Sequence, residues 1–224
     1  MKRYAIIVAG GSGSRMKSEV PKQFLILKDK PILLHTIEKF TSLGEIKIIV
    51  VLPKNQISYW VNLCSKFTVP EHEIVAGGET RFHSSQNGIN ALNEYEEGIV
   101  AIHDGVRPLV TKDVLEKAYN LAEEKGTAVV AVDSKDSIRI WNPNSDEYES
   151  VDRNSIRLIQ TPQVFKKSIL ESAFELHYKS KFTDDASVVE EFGSPIFLSE
   201  GNYQNIKITT PEDLQLAEII LKEN

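Results

Sequence analysis

The residues best suited to chemistry gather near the start of the chain, where positions 9–23 read Ala-Gly-Gly-Ser-Gly-Ser-Arg-Met-Lys-Ser-Glu-Val-Pro-Lys-Gln. A glycine-rich loop can present successive backbone N–H groups to a phosphate, because no Cβ blocks the approach. Arg15, Lys17 and Lys22 crowd onto this stretch in a chain whose formal charge is −6. Two familiar phosphate loops do not match. A Walker A loop requires Lys-Ser/Thr directly after its second glycine, and the dinucleotide fingerprint starting at Gly11 and Gly13 meets Met16 where its last glycine belongs. A plain turn on a solvated basic face is the competing reading. It accounts for each charge singly, but not for their crowding on a glycine loop at the carboxyl end of a strand, where α/β sheets bind ligands.

Other segments carry polar groups of the same kind. His103-Asp104-Gly105-Val106-Arg107-Pro108 ends an apolar run, so Asp104 is a carboxylate at the sheet's edge. Mg²⁺ takes one or two carboxylates together with phosphate oxygens, and Asp104 suits a single anchor; a turn or cap acid is the alternative. His103 is expected to pack and hydrogen-bond rather than bind metal. Pro108 holds Arg107 extended, which aims its guanidinium at a phosphate or leaves it in a surface ion pair. Thr183-Asp184-Asp185 reads as the acidic first turn of a helix running to Phe192, not as a catalytic carboxylate pair. No G-x-S-x-G, H-E-x-x-H or Cys/His pairing supports a hydrolase or zinc site.

The elements that must position these groups follow one rhythm. Residues 4–9, 46–52, 99–103 and 127–132 are short, nearly unbroken apolar runs, the pattern of strands buried on both faces of a parallel sheet. Helical patterns lie between them. Pro31 opens one with Leu33, Leu34, Ile37 and Phe40 inward; Asn55 is expected to cap a second carrying Ile57, Trp60, Val61 and Cys64 on one side. Thr111 and Asp113 open a third over Val114, Ala118 and Leu121, Thr80 caps a helix over 80–92, and Thr210-Pro211-Glu212-Asp213 starts the last. The alternation predicts an α/β fold: a doubly wound, mostly parallel, Rossmann-like sheet forming one domain over 1–224. One segment departs from it. Residues 137–141 and 148–153 flank the turn-rich 142–146, which predicts an inserted β-hairpin arm over 136–154. Such a ribbon is marginal alone, so Ile138, Ile140, Trp141 and Val151 need cover, either from the parent domain or from a second subunit.

Composition narrows the classes. At 41% hydrophobic and 26% charged residues the chain is globular rather than disordered. No apolar run reaches the ~18–20 residues of a membrane span, and residues 5–9 are too short for a signal h-region, so the expectation is a cytoplasmic protein. A single cysteine, Cys64, allows no internal disulfide and fits a reducing compartment; it is expected in the core. With 26 Lys+Arg against 32 Asp+Glu, a broad nucleic-acid footprint is not expected. An anionic ligand must then be held by a local basic cluster.

Read together, G-G-x-G-x-R-M with P-K-Q, Gly77-Gly78-Glu79-Thr80-Arg81 with Ser84, H-D-G-V-R-P, Val151-Asp152-Arg153, Thr161-Pro162-Gln163, residues 183–187 and Asn205-Ile206-Lys207-Ile208-Thr209 resemble the 2-C-methyl-D-erythritol 4-phosphate cytidylyltransferase family. The resemblance runs from Tyr4 to about Leu221. It implies CTP and a polyol phosphate as substrates, Mg²⁺ or another divalent cation at Asp104, and a homodimer exchanging the arm. By the same resemblance, Ala9, Gly10, Gly11, Ser12, Gly13, Gly78, Glu79, Ser84, Asp104 and Gly105 bind CTP. Arg15 and Lys22 stabilise the transition state, Lys207 and Arg153 position the acceptor phosphate with Arg153 arriving from the partner subunit, and Arg107, Ser137 and Thr161 lie near the acceptor. Ser137 stands where threonine is expected, Glu79 replaces a common aspartate and Gly105 a common alanine. The chemistry asks for cations more than for a base, because a phosphate monoester with its second pKa near ~6 is already largely a dianion at neutral pH; what remains is in-line positioning and charge neutralisation. The alternatives are a cytidylyltransferase for another acceptor such as ribitol 5-phosphate, a CTP-binding module without turnover, and a dinucleotide oxidoreductase, which Met16 disfavours.

Overall fold

The computed structural model describes residues 1–10, 16, 18 and 20–223, the side chain of Glu223 excepted. In chain order the strands are β1 (Lys2–Val8), β2 (Ile26–Leu27), β3 (Lys30–Pro31), β4 (Lys47–Leu52), β5 (Glu73–Ala76), β6 (Gly98–Asp104), β7 (Thr127–Asp133), β8 (Ile138–Asn142), β9 (Glu147–Val151), β10 (Arg157–Lys166) and β11 (Leu198–Glu200). The helices are α1 (Ile32–Thr41), α2 (Ile57–Cys64), α3 (Arg81–Asn90), α4 (Lys112–Lys125), α5 (Lys167–Ala173), α6 (Asp185–Phe192) and α7 (Pro211–Glu223). A seven-stranded sheet in the order β11-β7-β10-β6-β1-β4-β5 forms the centre. Only β10 runs antiparallel to its neighbours, β6 and β7; the others pair in parallel. The expected doubly wound α/β architecture is therefore present, with β10 as its one reversed strand.

Strand alternation sorts the core into two layers. Ala5 and Ile7 of β1 join Ile48, Val50 and Ala101 under α1, α2 and α4, where Leu33, Phe40, Trp60, Leu115 and Tyr119 are buried. Tyr4, Ile6 and Val8 face the other way with Val51, Val100 and Ile102, beneath Phe82 and Ile89 of α3 and Leu170 and Val188 of α5 and α6. A smaller third cluster joins Leu27, Ile32, Val106 and Leu109 to Ile208 and to Ala217 and Ile220 of α7. No helix among the described residues is long and apolar enough to cross a membrane.

Two local expectations need correction. Asn55 does not cap α2: Pro53 starts a 3-10 turn over Lys54–Gln56, closed by Gln56 N–H on the Pro53 carbonyl at 2.8 Å, and Gln56 takes the cap position without a side-chain capping bond. Val61 points outward at 51% exposure, and Cys64 is half-buried at the margin of the core. The caps expected at Thr80 and Thr111 form. Thr80 accepts from His83 N–H and Thr111 from Val114 N–H, while Asp184 and Ser187 build a capping box on α6.

Helix α3 lies unusually close to the sheet. A Cβ at Gly88 would stand 2.5 Å from Ile6 Cγ2 and 3.0 Å from Val51 Cγ2. Gly88→Ala is expected to destabilise the protein. Alanine gains about 1 kcal/mol of helix propensity, but pushing a helix off a packed sheet costs about 1–3 kcal/mol. A lower urea midpoint with an unchanged m-value is the expected reading.

Candidate active site

Strands β4 and β5 extend the sheet to one side of β1, and β6 lies on the other side. The chain thus reverses its direction of winding between β1 and β6, which makes the crevice beyond their carboxyl ends the place for a ligand. Val8 and Asp104 are paired in register at those ends, and Gly105 N–H bonds the Val8 carbonyl at 2.9 Å. A cavity of about 230 Å³ opens there, lined by Ala9, Gly10, Lys22, Gly78, Glu79, Thr80, Arg81, Ser84, Asp104 and Lys207 among others.

Asp104 is the hub. Its Oδ1 accepts from Arg81 Nη1 at 2.9 Å, and its Oδ2 meets Arg107 Nε at 3.1 Å and Lys207 Nζ at 3.1 Å. Burial opposes its ionisation, but Arg81, Lys207 and Arg107 outweigh that cost and hold the carboxyl well below the usual carboxylate range. Each cation is placed by a different element. Arg81 opens α3, Arg107 follows the turn after β6 and donates Nη1–H to the Asn205 carbonyl at 2.7 Å, and Lys207 sits in the stretch before α7, pinned by Ile208 N–H on the Val106 carbonyl at 2.9 Å.

Behind Asp104 the strand is fixed by a neutral network. The Asp104 N–H donates to Thr161 Oγ1 at 3.0 Å, Thr161 Oγ1 stands 3.1 Å from His103 Nδ1, and His103 Nε2 stands 3.2 Å from the Arg107 carbonyl. A carbonyl only accepts, so Nε2 carries the proton and Nδ1 receives the threonine hydroxyl. Burial disfavours the charged imidazolium and pushes the His103 pKa down to about 4. Unfolded His103 titrates near ~6.5. Stability from this residue is therefore complete above about pH 6.5 and is lost progressively as pH falls towards 4, by on the order of 3 kcal/mol in all. Urea titrations from pH 7 to 4 are expected to show the slope, and His103→Gln to remove most of it.

The opposite wall is a glycine turn held by α3. Gly77 N–H bonds the Leu52 carbonyl at 2.8 Å, and Ser84 Oγ accepts from Gly78 N–H at 3.2 Å while donating to the Thr80 carbonyl at 2.9 Å. A Cβ on Gly78 would fall 2.4 Å from that of His83, so the turn admits only glycine there. On the third side, Gln23 donates to the Ala9 carbonyl at 2.8 Å and to Gln56 Oε1 at 2.6 Å. That locks the 3-10 turn Lys22–Phe24 against β1, and with it Lys22, which is 8% exposed.

The chain thus brings Ala9, Gly10, Lys22, Gly78, Glu79, Ser84, Asp104 and Lys207 to one cavity, with Arg107 and Thr161 bonded to Asp104 and Gly105 buried beside Ala9. Gly11, Ser12, Gly13 and Arg15 lie outside the described residues. Ser137 and Arg153 are not brought there within one chain. Ser137 is exposed at the root of the arm, and Arg153 lines a separate hollow with Lys135 and Arg157. Among the described residues the two strands of the arm pair with each other and nothing covers Ile140, Trp141 and Tyr148, which are exposed.

One pair of site residues escaped the sequence reading. Arg81 forks between Asp104 and Asp185, meeting Asp185 Oδ2 at 2.5 Å, and Ser85 Oγ donates to Asp185 Oδ1 at 2.6 Å. Asp184 caps the helix, whereas Asp185, in the acidic first turn that was expected, is 1% exposed and paired with Arg81. The signal was its spacing: Asp185 shares a stripe with Val188 and Val189, the buried side of α6.

The model of the 2-C-methyl-D-erythritol 4-phosphate cytidylyltransferase family matches residues 4–223. The chain belongs to this family. The cytidylyltransferase of Phocaeicola vulgatus is 45% identical over 224 residues, spanning 99% of this chain and all of that one, and the enzyme of Bacteroides thetaiotaomicron is 46% identical over the same span. Among solved structures, the 4-diphosphocytidyl-2C-methyl-D-erythritol synthase of Anaerococcus prevotii superposes with a TM-score of 0.83 at 29% identity, covering 99% of this chain and 98% of that one. The cytidylyltransferase of Francisella tularensis gives 0.81 at 31% identity, covering 98% and 99%. Family membership makes the chain a nucleotidyltransferase.

Proposed function

We propose that the protein transfers the cytidylyl group of CTP to 2-C-methyl-D-erythritol 4-phosphate, releasing pyrophosphate, in isoprenoid precursor synthesis. The observation that carries this reading is the crowding of Lys22, Arg81, Arg107 and Lys207 around or beside one buried carboxylate at the switch point, in a chain of this family. An oxygen of the acceptor phosphate, already anionic at neutral pH, attacks the α-phosphorus, and the bond from that phosphorus to the bridging oxygen of the β-phosphate breaks. No side chain has to remove a proton. What the protein supplies is alignment and positive charge where negative charge accumulates. In this reading Lys22 and Arg15 serve the triphosphate, Lys207 holds the acceptor phosphate, and the glycine turn at 77–78 with Ala9, Gly10 and Ser84 seats the nucleoside.

Asp104 suits a divalent cation such as Mg²⁺. Among the described residues Arg107 and Lys207 meet Oδ2 and Arg81 meets Oδ1, and a carboxylate oxygen accepts in two directions. No cluster of three or more acidic, histidine or cysteine side chains able to hold a metal occurs among the described residues, so the remaining ligands would be substrate oxygens and water, the usual arrangement for Mg²⁺. When bound, such an ion would supply further charge neutralisation on the triphosphate.

The exposed Ile140, Trp141 and Tyr148 on the arm and the absence of Arg153 from the cavity of its own chain support a homodimer in which each arm completes the other subunit's acceptor site. A single half-buried cysteine supports a cytoplasmic setting. The deciding experiment is phosphorus NMR of the protein with CTP, Mg²⁺ and either 2-C-methyl-D-erythritol 4-phosphate or ribitol 5-phosphate. A nucleoside diphosphate ester and pyrophosphate are expected with the first acceptor only. Equal pyrophosphate without any acceptor, or preference for ribitol 5-phosphate, would overturn the reading.

A further inference from the structure

We infer that Arg81 and Asp185 form a fixed strut that orients Asp104 and, through it, Lys207, so that both are positioning residues for the transfer. This rests on the cytidylyl-transfer reading above, because it assigns them an effect on the acceptor's lysine.

Lys207 lies in a stretch without regular secondary structure, its side chain is 42% exposed, and its ammonium is tied to Asp104 Oδ2. The position of that ammonium therefore depends on which way the Asp104 carboxylate faces. A carboxylate turns freely about its last torsion unless both oxygens are held. Arg107 holds one edge and Arg81 the other. An arginine side chain is long, and a guanidinium tied at one end only would follow the carboxylate rather than restrain it. Arg81 is tied at both ends. One N–H group reaches Asp104 and the other reaches Asp185, which is buried, rooted in the first turn of α6 and held from its other oxygen by Ser85 of α3. The α6 terminus is itself fastened to β10, where Gln163 donates to Asp184 at 2.7 Å and accepts from Ala186 N–H at 2.8 Å. The line Ser85–Asp185–Arg81–Asp104–Lys207 thus runs from two packed helices to the half-exposed end of a lysine. The guanidinium presents its N–H groups in a rigid planar fork that fixes the direction of both carboxylates, whereas a lysine ammonium is a point charge on a flexible stem.

Asp185 and Lys207 share no contact, so independent roles would give additive costs. The test is a double-mutant cycle in kcat/KM for 2-C-methyl-D-erythritol 4-phosphate with Asp185→Asn and Lys207→Ala, with urea midpoints taken for each variant. Asp185→Asn is expected to cost about 10- to 100-fold in the unaltered background, the scale of a displaced reactant, and less than about 2-fold once Lys207 is alanine. Arg81→Lys is expected to match Asp185→Asn rather than to rescue function. Additive costs, an unaffected Asp185→Asn, or a wild-type-like Arg81→Lys would overturn the strut. Should Asp185→Asn not fold, Ser85→Ala carries the same cycle with a smaller expected cost of about 3- to 10-fold. Turnover by the unaltered protein is measured first. Its absence overturns the transfer reading and this one with it, whereas turnover with additive costs overturns this one alone.

Discussion

Asp104→Asn is expected to lower kcat/KM by about 10³-fold or more while leaving a folded protein that still takes up CTP. The substitution keeps shape and removes one charge. In the native site Arg81, Arg107 and Lys207 face Asp104 and Asp185. Three cations against two carboxylates leave +1, and the asparagine leaves +2. Removing one member of a buried ion-pair set costs about 3–5 kcal/mol, a large part of the 5–15 kcal/mol that holds a typical domain folded. The urea midpoint should therefore fall clearly. Turnover suffers for a separate reason: the alignment of Lys207 and Arg107 is lost together with the anchor for a divalent ion, and a single misplaced electrostatic group costs about 10²–10³ in rate. Binding responds in the opposite direction. An unbalanced cluster of cations welcomes a polyanion, so CTP without any divalent ion should raise the melting temperature of the variant more than that of the unaltered protein. Turnover within about 10-fold of normal would remove Asp104 from the centre of the site.

Lys22→Ala is expected to reduce kcat by about 10²–10³-fold with a much smaller change in KM for CTP. Lost transition-state stabilisation of about 2.7–4 kcal/mol is the usual consequence of deleting a charge aimed at a reacting group. The backbone around it should not move, because Phe24 N–H closes the turn on the Pro21 carbonyl at 2.9 Å and Gln23 is bolted to Ala9 and Gln56. The contrast with Asp104 is diagnostic. Here the urea midpoint should change less, and Lys22→Arg should restore part of the rate because the charge returns in a different shape. Steady-state kinetics at saturating acceptor, with denaturation curves for both variants, separate the two cases. Unchanged kcat in Lys22→Ala would end its role in the transition state.

Much of this arrangement was legible in the residue pattern, for reasons that differ from element to element. The buried strands β1, β4, β6 and β7 announce themselves as unbroken apolar runs, because a parallel sheet covered on both faces tolerates little else. The carboxylate ending β6 was legible from its place after an apolar run, whereas the glycine turn at 77–78 and Lys207 came only with the family resemblance of the motifs that carry them. Strand β10 was not found. It contains Pro162 beside Gln160, Thr161 and Gln163, and proline within a run argues against a strand; the register shift between Ile159 and Gln163 shows where the ladder gives way to admit it. The polar side chains that hid the strand are those that serve the site. Thr161 supports Asp104, Gln163 fastens α6, and Gln160 supports Asn205. Arg81 and Asp185 were obscured for another reason. They are 104 residues apart in the chain, and each taken alone is an ordinary charge in the first turn of a helix.

The third apolar cluster gives the molecule a weak seam. Lys207 owes its place to Ile208, and Ile208 is covered by α7, whose Leu216 and Ile219 face solvent while Leu214, Ala217, Ile220 and Leu221 join the small third cluster. A helix so lightly held can peel away in a sub-global opening while the two large layers stay intact. Warming would then silence the enzyme before its secondary structure melts, and amide exchange would mark residues 206–220 as the first to open.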